Sequence, residues 1–186
     1  MSNAFAHLVT SCLNGDQNAI TELVNRYRGQ VFGLCFRILG HRQDAEDATQ
    51  ETFLRVLDNL NRWDRHRAFE PWLFAIASNR CRTALGKRKR RPPMKRLVEA
   101  ASTTDTSQPD GRALSEEVTL AVRNLRTEYR LAFSLFHDRG MTYLEISQIL
   151  GCPIGTAKTW VHRARRKLVQ QLLTREVLTE TPHHAM

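Results

Sequence analysis

The chain has 186 residues, of which 41% are hydrophobic, and this composition suits one large or two small globular domains. Its formal net charge of +9 predicts a polyanionic partner such as nucleic acid. Neither an apolar run of bilayer-spanning length nor a secretory signal occurs, so we expect a cytoplasmic protein that does not insert into a membrane. The four cysteines are widely spaced without a C-x-x-C pair, which argues against a zinc finger or a disulfide framework.

Apolar residues at helical spacing predict helices throughout the first half of the chain. The first covers residues 16–39, either as one bent helix or as two helices divided at Gly29. The second runs from about residue 42 to residue 60. The third covers residues 71–90, with Pro71 at the first helical position, where its missing N–H costs nothing. The intervening NRWDRHRAFE is predicted to be a loop.

A change of composition divides the chain into two predicted domains, residues 1–91 and 114–186. Residues 92–113 begin with two prolines and continue through Ser, Thr, Asp, Pro and Gly, which is typical of a flexible linker. Helices are expected again at about 115–125 and 128–137. No strand alternation occurs, so we predict an all-α fold of two small helical domains, the second of which contains a helix-turn-helix.

The helix-turn-helix is predicted from TYLEISQILGCPIGTAKTWVHRARRKL, residues 142–168. An apolar stripe on its first helix is supplied by Leu144, Ile146, Ile149 and Leu150. Gly151 and Pro153 stop that helix. The core face of the second helix consists of Ala157, Val161, Ala164 and Leu168. Its outward face carries Lys158, Thr159, His162, Arg163, Arg165 and Arg166. This basic face favours binding in the major groove of DNA, and the alternative is an ordinary solvated helix.

An acidic stripe lies on the helix predicted at 42–60. Asp44, Asp47 and Glu51 share one face, while the core face is expected to hold Ala48, Phe53, Leu54 and Leu57. Acids near a helix N-terminus are favourable without any partner, so a solvated face is one interpretation. A magnesium site for phosphodiester cleavage is another, although nuclease ligands normally converge from several elements.

The helix predicted at 71–90 carries an aromatic ring and an amide on one face. Trp72, Ile76, Asn79 and Thr83 follow helical spacing. Trp72 and Asn79 could support a base that has left the stack. The alternative is that Trp72 is a plain core residue. The basic run at the end of the helix, GKRKRR, would bind phosphates without sequence preference, or would simply be solvated.

Two separate motifs carry a family resemblance. DAEDATQETFLRVL (residues 44–57) is similar to the polymerase-binding signature in region 2 of bacterial RNA polymerase sigma factors of the extracytoplasmic function (ECF) group. Residues 71–91 resemble the adjoining helix that separates the DNA strands. Residues 129–168 resemble region 4, which in that family recognises the upstream promoter element.

The resemblance implies three groups of contact residues. Core RNA polymerase would be contacted by Asp44, Asp47, Gln50, Glu51 and Phe53, although Phe53 has plain core as a strong alternative. The minus 10 DNA element would be contacted by Arg62, Trp63, Arg65, Arg67, Trp72, Asn79, Arg80, Lys87 and Arg88. The minus 35 element would be contacted by Gly155, Thr156, Lys158, Thr159, His162, Arg163 and Arg166. Trp160 stands where many relatives have arginine, and packing is its alternative role.

The implied function is transcription initiation. The protein would bind core polymerase, direct it to a two-part promoter and help to melt the minus 10 element, without a catalytic residue, a metal or a cofactor. An anti-sigma factor is the further partner that the family implies. Two other functions stay open: a stand-alone two-domain DNA-binding regulator, and a metal-dependent nuclease that uses the acidic helix.

Overall fold

The computed structural model describes residues 3–90, 118 and 120–179, and every regular element within them is helical, which confirms the all-α fold class. The helices are α1 (Asn3–Leu13), α2 (Gln17–Leu39), α3 (Arg42–Asp58), α4 (Phe69–Arg90), α5 (Thr127–Arg139), α6 (Tyr143–Leu150) and α7 (Ile154–Thr179). A 3-10 turn at Leu60–Arg62 follows α3, and residues 120–123 are also helical. The linker predicted at 92–113 lies outside the described residues. Among those described, no helix has the length and apolarity needed to cross a membrane.

α2 is one uninterrupted helix, so the predicted alternative of a break at Gly29 is wrong. The carboxylate of Asp16 accepts hydrogen bonds from the backbone N–H groups of Asn18 at 2.8 Å and Ala19 at 3.3 Å, and thereby caps the helix. Gly40, with φ of +73°, ends it in the left-handed conformation that glycine adopts without strain. Both ends of this long helix are therefore fixed by local sequence.

α1 is a helix that the sequence patterns did not predict. The ring of Phe5 in α1 packs against three other aromatic rings. Its centroid lies 6.3 Å from that of Tyr27 in α2, 6.0 Å from that of Trp63 and 5.2 Å from that of Phe69. Burial of Phe69 in this aromatic cluster also explains why α4 begins there, before the expected start at Pro71. The cluster fixes the loop between α3 and α4 against α1 and α2.

α6 and α7 form the predicted helix-turn-helix. The Thr142 hydroxyl accepts a hydrogen bond from the backbone N–H of Glu145, whose carboxylate accepts one from the backbone N–H of Thr142. This reciprocal pair is a capping box and fixes the first turn of α6. α6 ends at Gly151, with φ of +66°, as predicted. Leu144, which was expected in the apolar stripe, is instead 53% exposed.

The two halves pack against each other, with α4 on α6 and α2 on α5. One hydrophobic cluster crosses this contact and includes Leu73 and Phe74 of α4 with Ile146 and Ile149 of α6. A smaller cluster belongs to the second half alone and contains Ala121, Val122, Leu125, Tyr129, Ala164 and Leu168.

All four cysteines are free thiols that belong to the larger cluster or pack against it. Cys12, Cys35 and Cys81 are buried, and the sulfurs of Cys35 and Cys81 lie 3.6 Å apart between α2 and α4. Cys152, in the turn between α6 and α7, is half-buried against the larger cluster.

Candidate nucleic-acid interface

The outward face of α7 is basic, as the sequence predicted. Ala157, Val161 and Ala164 are fully buried on its inner face. The side chains that line one depression on its outer face are Lys158, Thr159, His162, Arg163, Arg166 and Lys167, together with Tyr129 of α5. Gly155 is exposed and Thr156 is half-buried in the first turn. The residues predicted to contact the minus 35 element therefore lie together on the first turns of one exposed helix.

Tyr129 is a member of this surface that the sequence patterns missed. Its ring is 7% exposed, and its hydroxyl accepts a hydrogen bond from the Arg163 guanidinium at 3.3 Å. That hydrogen bond lowers the pKa of the Tyr129 phenol below its ordinary value. The Lys167 ammonium lies 5.7 Å from the centre of the same ring. Tyr129, on the neighbouring helix α5, thus contacts two positively charged side chains of α7.

Trp160 does not belong to this exposed face. Its indole is partly buried and packs against both hydrophobic clusters. The packing role that the sequence left open is therefore the one that the structure supports.

A second candidate surface is a groove along α4. Trp72, Ile76 and Asn79 line it on one side, and Arg55, Asn59, Arg62 and Arg80 complete it. The groove is open to solvent and has a volume of about 310 Å³. Trp72 is half-buried and Asn79 is exposed, so one ring and one amide are available in a basic groove. This arrangement suits a base that is stacked on one side and hydrogen-bonded at its edge.

The loop before α4 contributes exposed arginines. Arg62, Arg65 and Arg67 are exposed, and Arg67 is paired with Asp64 at 3.4 Å. Trp63 is only 5% exposed, because its indole packs edge-on against Phe5 and Phe69. Its buried N–H has no hydrogen-bond partner among the described residues. The three arginines are thus exposed to solvent, where a phosphate could reach them, whereas the Trp63 ring is part of the core.

The acidic stripe of α3 faces the basic end of α4 across a groove of about 360 Å³. The carboxylate of Glu51 lies 3.8 Å from the Arg80 guanidinium, and that of Asp44 lies 3.8 Å from Arg88. These partners were not expected from the sequence. Each pair is partly exposed to solvent, so each stabilises the fold only weakly.

The other residues predicted to contact polymerase differ in their exposure. Asp47 and Gln50 are exposed, whereas Phe53 is 7% exposed and lies in the core. Leu54, which was expected in the core, is 57% exposed on the same helix. The described residues contain no group of three or more His, Cys, Asp or Glu that could hold a metal ion.

The basic end of α4 is split between packing and solvent. The Arg88 guanidinium donates a hydrogen bond to the carbonyl oxygen of Leu39 at 3.2 Å, at the C-terminal end of α2. A cation is favourable there because the last helical carbonyls lack backbone partners. Lys87 is exposed. Lys87 and Arg88 were both predicted to contact DNA. In this arrangement Lys87 is exposed to solvent, whereas Arg88 is bound to the end of α2.

Comparisons with known proteins agree with the order of these surfaces along the chain. Residues 23–91 match the family model of Sigma-70 region 2, and residues 115–168 match that of Sigma-70 region 4. The chain is 33% identical over 172 residues to the ECF RNA polymerase sigma factor SigW of Bacillus subtilis, covering 85% of this chain and 91% of that protein. It is 33% identical over 183 residues to the ECF RNA polymerase sigma-E factor of Escherichia coli, covering 90% and 95%.

Two solved structures share this fold. CnrH, in its complex with the cytosolic domain of CnrY, matches 90% of this chain and 96% of its own at a TM-score of 0.66 and 27% identity. The sigma factor RpoE of Bartonella quintana, in complex with the anti-sigma factor NepR, shares the fold at a TM-score of 0.68 and 21% identity, over 82% and 95% of the two chains. From the two region models and from relatives matched over nearly their whole length, this chain belongs to the ECF RNA polymerase sigma factors of the sigma-70 family.

Proposed function

We propose that this sigma factor directs core RNA polymerase to a promoter with two elements, and that each half of the chain binds one of them. The observation that carries the proposal is the pair of distinct basic surfaces, one on α4 and one on α7. Sigma factors are initiation factors rather than enzymes, and we assign no catalytic group, metal or cofactor to this chain.

The exposed face of α7 is proposed to bind the minus 35 element in the major groove. Lys158 and Arg163 are cations that can pair with guanine acceptors, and Thr159 can contact a thymine methyl group or a base edge. Gly155 in the first turn lacks a side chain, which allows a phosphate to approach the helix N-terminus.

The groove on α4 is proposed to hold an unstacked base of the minus 10 element. Trp72 supplies a ring for stacking, Asn79 supplies a donor and an acceptor, and Arg62 supplies charge for the neighbouring phosphate. Trp63 is better described as support for this loop than as a contact, because its ring is buried.

The exposed part of α3 is proposed to bind core polymerase through Asp47, Gln50 and Glu51. We further propose an anti-sigma factor as regulator and the cytoplasm as location. The resemblance to CnrH, which was solved together with the cytosolic domain of CnrY, supports such a regulator.

Transcription with purified core polymerase on duplex and pre-melted templates tests the proposal. Asn79→Ala is expected to transcribe poorly from a duplex and normally from a bubble, because strand opening is the step that it weakens. Thr83→Ala on the same helix is the matched control and should match the parent on both templates.

The two alternatives forecast different outcomes. A stand-alone regulator would bind promoter DNA without conferring promoter-specific transcription on core polymerase. A nuclease using α3 would cleave DNA in the presence of magnesium, and this cleavage would be lost in Asp47→Asn. Transcription that does not depend on the added protein would contradict the proposed function.

A further inference from the structure

Two buried thiols lie in contact between α2 and α4, and none of the surfaces described above uses them. Cys35 of α2 and Cys81 of α4 are both 0% exposed, and both are free. The Cys81 thiol donates a hydrogen bond to the Cys35 sulfur across 3.6 Å. The two residues are 46 positions apart in the chain, so the packing of the helices brings them together. A disulfide needs an S–S distance of about 2.05 Å, so the two sulfurs are about 1.5 Å short of bonding distance.

The hydrogen bond makes the two thiols chemically different. It lowers the pKa of the Cys35 thiol, and this effect outweighs burial, which raises that pKa. The pKa of Cys81 is raised, because its proton is held in the hydrogen bond and because its sulfur is buried. The thiolate is the form of cysteine that reacts with oxidants, so oxidation of this pair would begin at Cys35.

The groove between α3 and α4 brings solvent close to the pair. Ala48 and Ala84 are among the residues that line this groove, which is open to solvent and has a volume of about 360 Å³. Ala84 lies about one helical turn beyond Cys81 on α4 and carries only a methyl group. A small oxidant in the groove therefore needs only a local opening of the core to reach the two sulfurs.

We propose that Cys35 and Cys81 form a reversible disulfide when the protein is exposed to a hydroperoxide, and that this bond fastens α2 to α4 without rearranging the fold. The proposal concerns the core of the first half and does not depend on the proposed contacts with DNA or polymerase. In a reducing cytoplasm, thiol–disulfide exchange restores both thiols once the oxidant is consumed.

The oxidation proceeds in two steps. The Cys35 thiolate attacks one oxygen of hydrogen peroxide, the O–O bond breaks, and the departing hydroxide takes up a proton to become water. The sulfur of Cys81 then attacks the resulting sulfenic acid, and the hydroxyl group leaves with the Cys81 proton as a second water. Two thiols are thereby oxidised by two electrons, and one peroxide is reduced to two waters.

A disulfide suits this place in the core better than any other product of the two thiols. It adds no atoms, whereas alkylation or oxidation to a sulfinic acid adds atoms to a closely packed interior. The bond would close a loop that contains the whole of α3 and the 3-10 turn at Leu60–Arg62. Because a closed loop restricts the unfolded chain, the oxidised protein should resist unfolding more than the reduced protein does.

Peptide mapping tests the proposal. In Cys12→Ala combined with Cys152→Ala, Cys35 and Cys81 are the only thiols. This protein is treated with hydrogen peroxide without denaturant, and any remaining thiols are then blocked with iodoacetamide in denaturant before digestion with trypsin. We expect residues 29–37 joined to residues 81–82, lighter by two hydrogen atoms than the two separate peptides together. Dithiothreitol added before the blocking step should return both peptides in alkylated form.

Cys81→Ser in the same double variant is the matched control, because serine has nearly the volume of cysteine but forms no disulfide. It should give no crosslinked peptide. The oxidised double variant should melt about 5–15 °C above its reduced form, whereas peroxide should not raise the melting temperature of the control. The parent protein should yield the same crosslinked peptide, so the mapping does not require any variant to fold.

Three results would overturn the proposal: two unreacted thiols after peroxide treatment, a Cys35 that gains oxygen without a crosslink, or a crosslink that forms only in denaturant. A crosslink that leaves the melting temperature unchanged would overturn the fastening of α2 to α4.

Discussion

Arg163 illustrates how a single side chain can be positioned by a residue outside the motif that contains it. The guanidinium of Arg163 is exposed on α7, yet its direction is set by the hydroxyl of Tyr129 on α5. An arginine without such a partner loses more conformational freedom when it binds a base. Tyr129 is therefore a positioning residue for the proposed minus 35 contact.

Tyr129→Phe is expected to weaken binding of minus 35 duplex DNA by about 0.5–1.5 kcal/mol, the usual net contribution of one hydrogen bond. The ring remains in the small cluster, so the melting temperature should change little. Tyr143→Phe, on α6, is the matched control and should bind as the parent does. A titration followed by anisotropy measures both, and equal affinities of the two variants would contradict the positioning role.

Where α5 meets α7, a histidine couples the stability of the second half to pH. His137 accepts a hydrogen bond from Nε of Arg165 at 2.8 Å, so its imidazole is neutral in this contact. Burial, followed by the charge of Arg165, lowers the pKa of His137 below its ordinary value. The unfolded chain consequently binds a proton at a higher pH than the folded one does.

His137→Gln should therefore flatten the pH dependence of stability. The contribution of His137 is fully present above the unfolded pKa of about 6.5 and is lost as the pH falls through the lower folded pKa. We expect the parent to lose more stability than His137→Gln between neutral pH and pH 5, as measured by urea unfolding. His162→Gln, on the exposed face of α7, is the control and should behave as the parent. A parallel loss in the parent and His137→Gln would show that this contact does not titrate.

The helix α3 combines two functions on one element, because its acids both pair with α4 and face solvent. Glu51 lies near Arg80, whereas Asp47 is exposed without an ion pair among the described residues. Reversal of both charges replaces attraction with repulsion at any partner that approaches this face.

Asp47→Lys combined with Glu51→Lys should abolish assembly with core polymerase while isolated minus 35 binding is retained. Glu46→Lys on the same helix, whose side chain pairs with Arg42 at 2.9 Å, is the matched control and should assemble normally. Fluorescence anisotropy with labelled protein at two salt concentrations measures the affinity. Unchanged core affinity in the double variant would mean that this face is merely solvated.

Local sequence predicts these elements well where caps and long periodic patterns agree. The buried residues of α7 follow strict helical spacing, and α6 ends at the expected Gly151. Leu144 was misplaced because so short a helix has too few turns for periodicity to define its buried face. Contacts such as that between Arg163 and Tyr129, which are 34 positions apart, leave no periodic signal at all.

At the scale of the whole molecule, the two halves were predicted but their packing was not. The sequence indicates which residues are cations, but not that Arg82 and Arg130 bind carbonyl groups across the interface. Arg88, which the resemblance assigns to the minus 10 element, likewise donates to a carbonyl oxygen at a helix end, that of Leu39. An arginine in this sequence can therefore serve a helix end instead of a phosphate.

Cys152 lies where its reactivity should report on the packing between the two halves. Burial raises the pKa of this thiol, which lies within the electrostatic influence of Arg82 from the other half. Alkylation requires an accessible thiolate, so iodoacetamide should modify Cys152 slowly in the parent. The reaction should be several-fold faster in Asp138→Arg, which replaces the 2.9 Å ion pair of Arg37 and Asp138 between α2 and α5 with a repulsion. Cys35 and Cys81, both fully buried with their sulfurs 3.6 Å apart between α2 and α4, should stay unmodified in each protein and serve as internal standards in the mass spectrum. The rate of this modification would thus measure how firmly the two halves pack, without attaching any label.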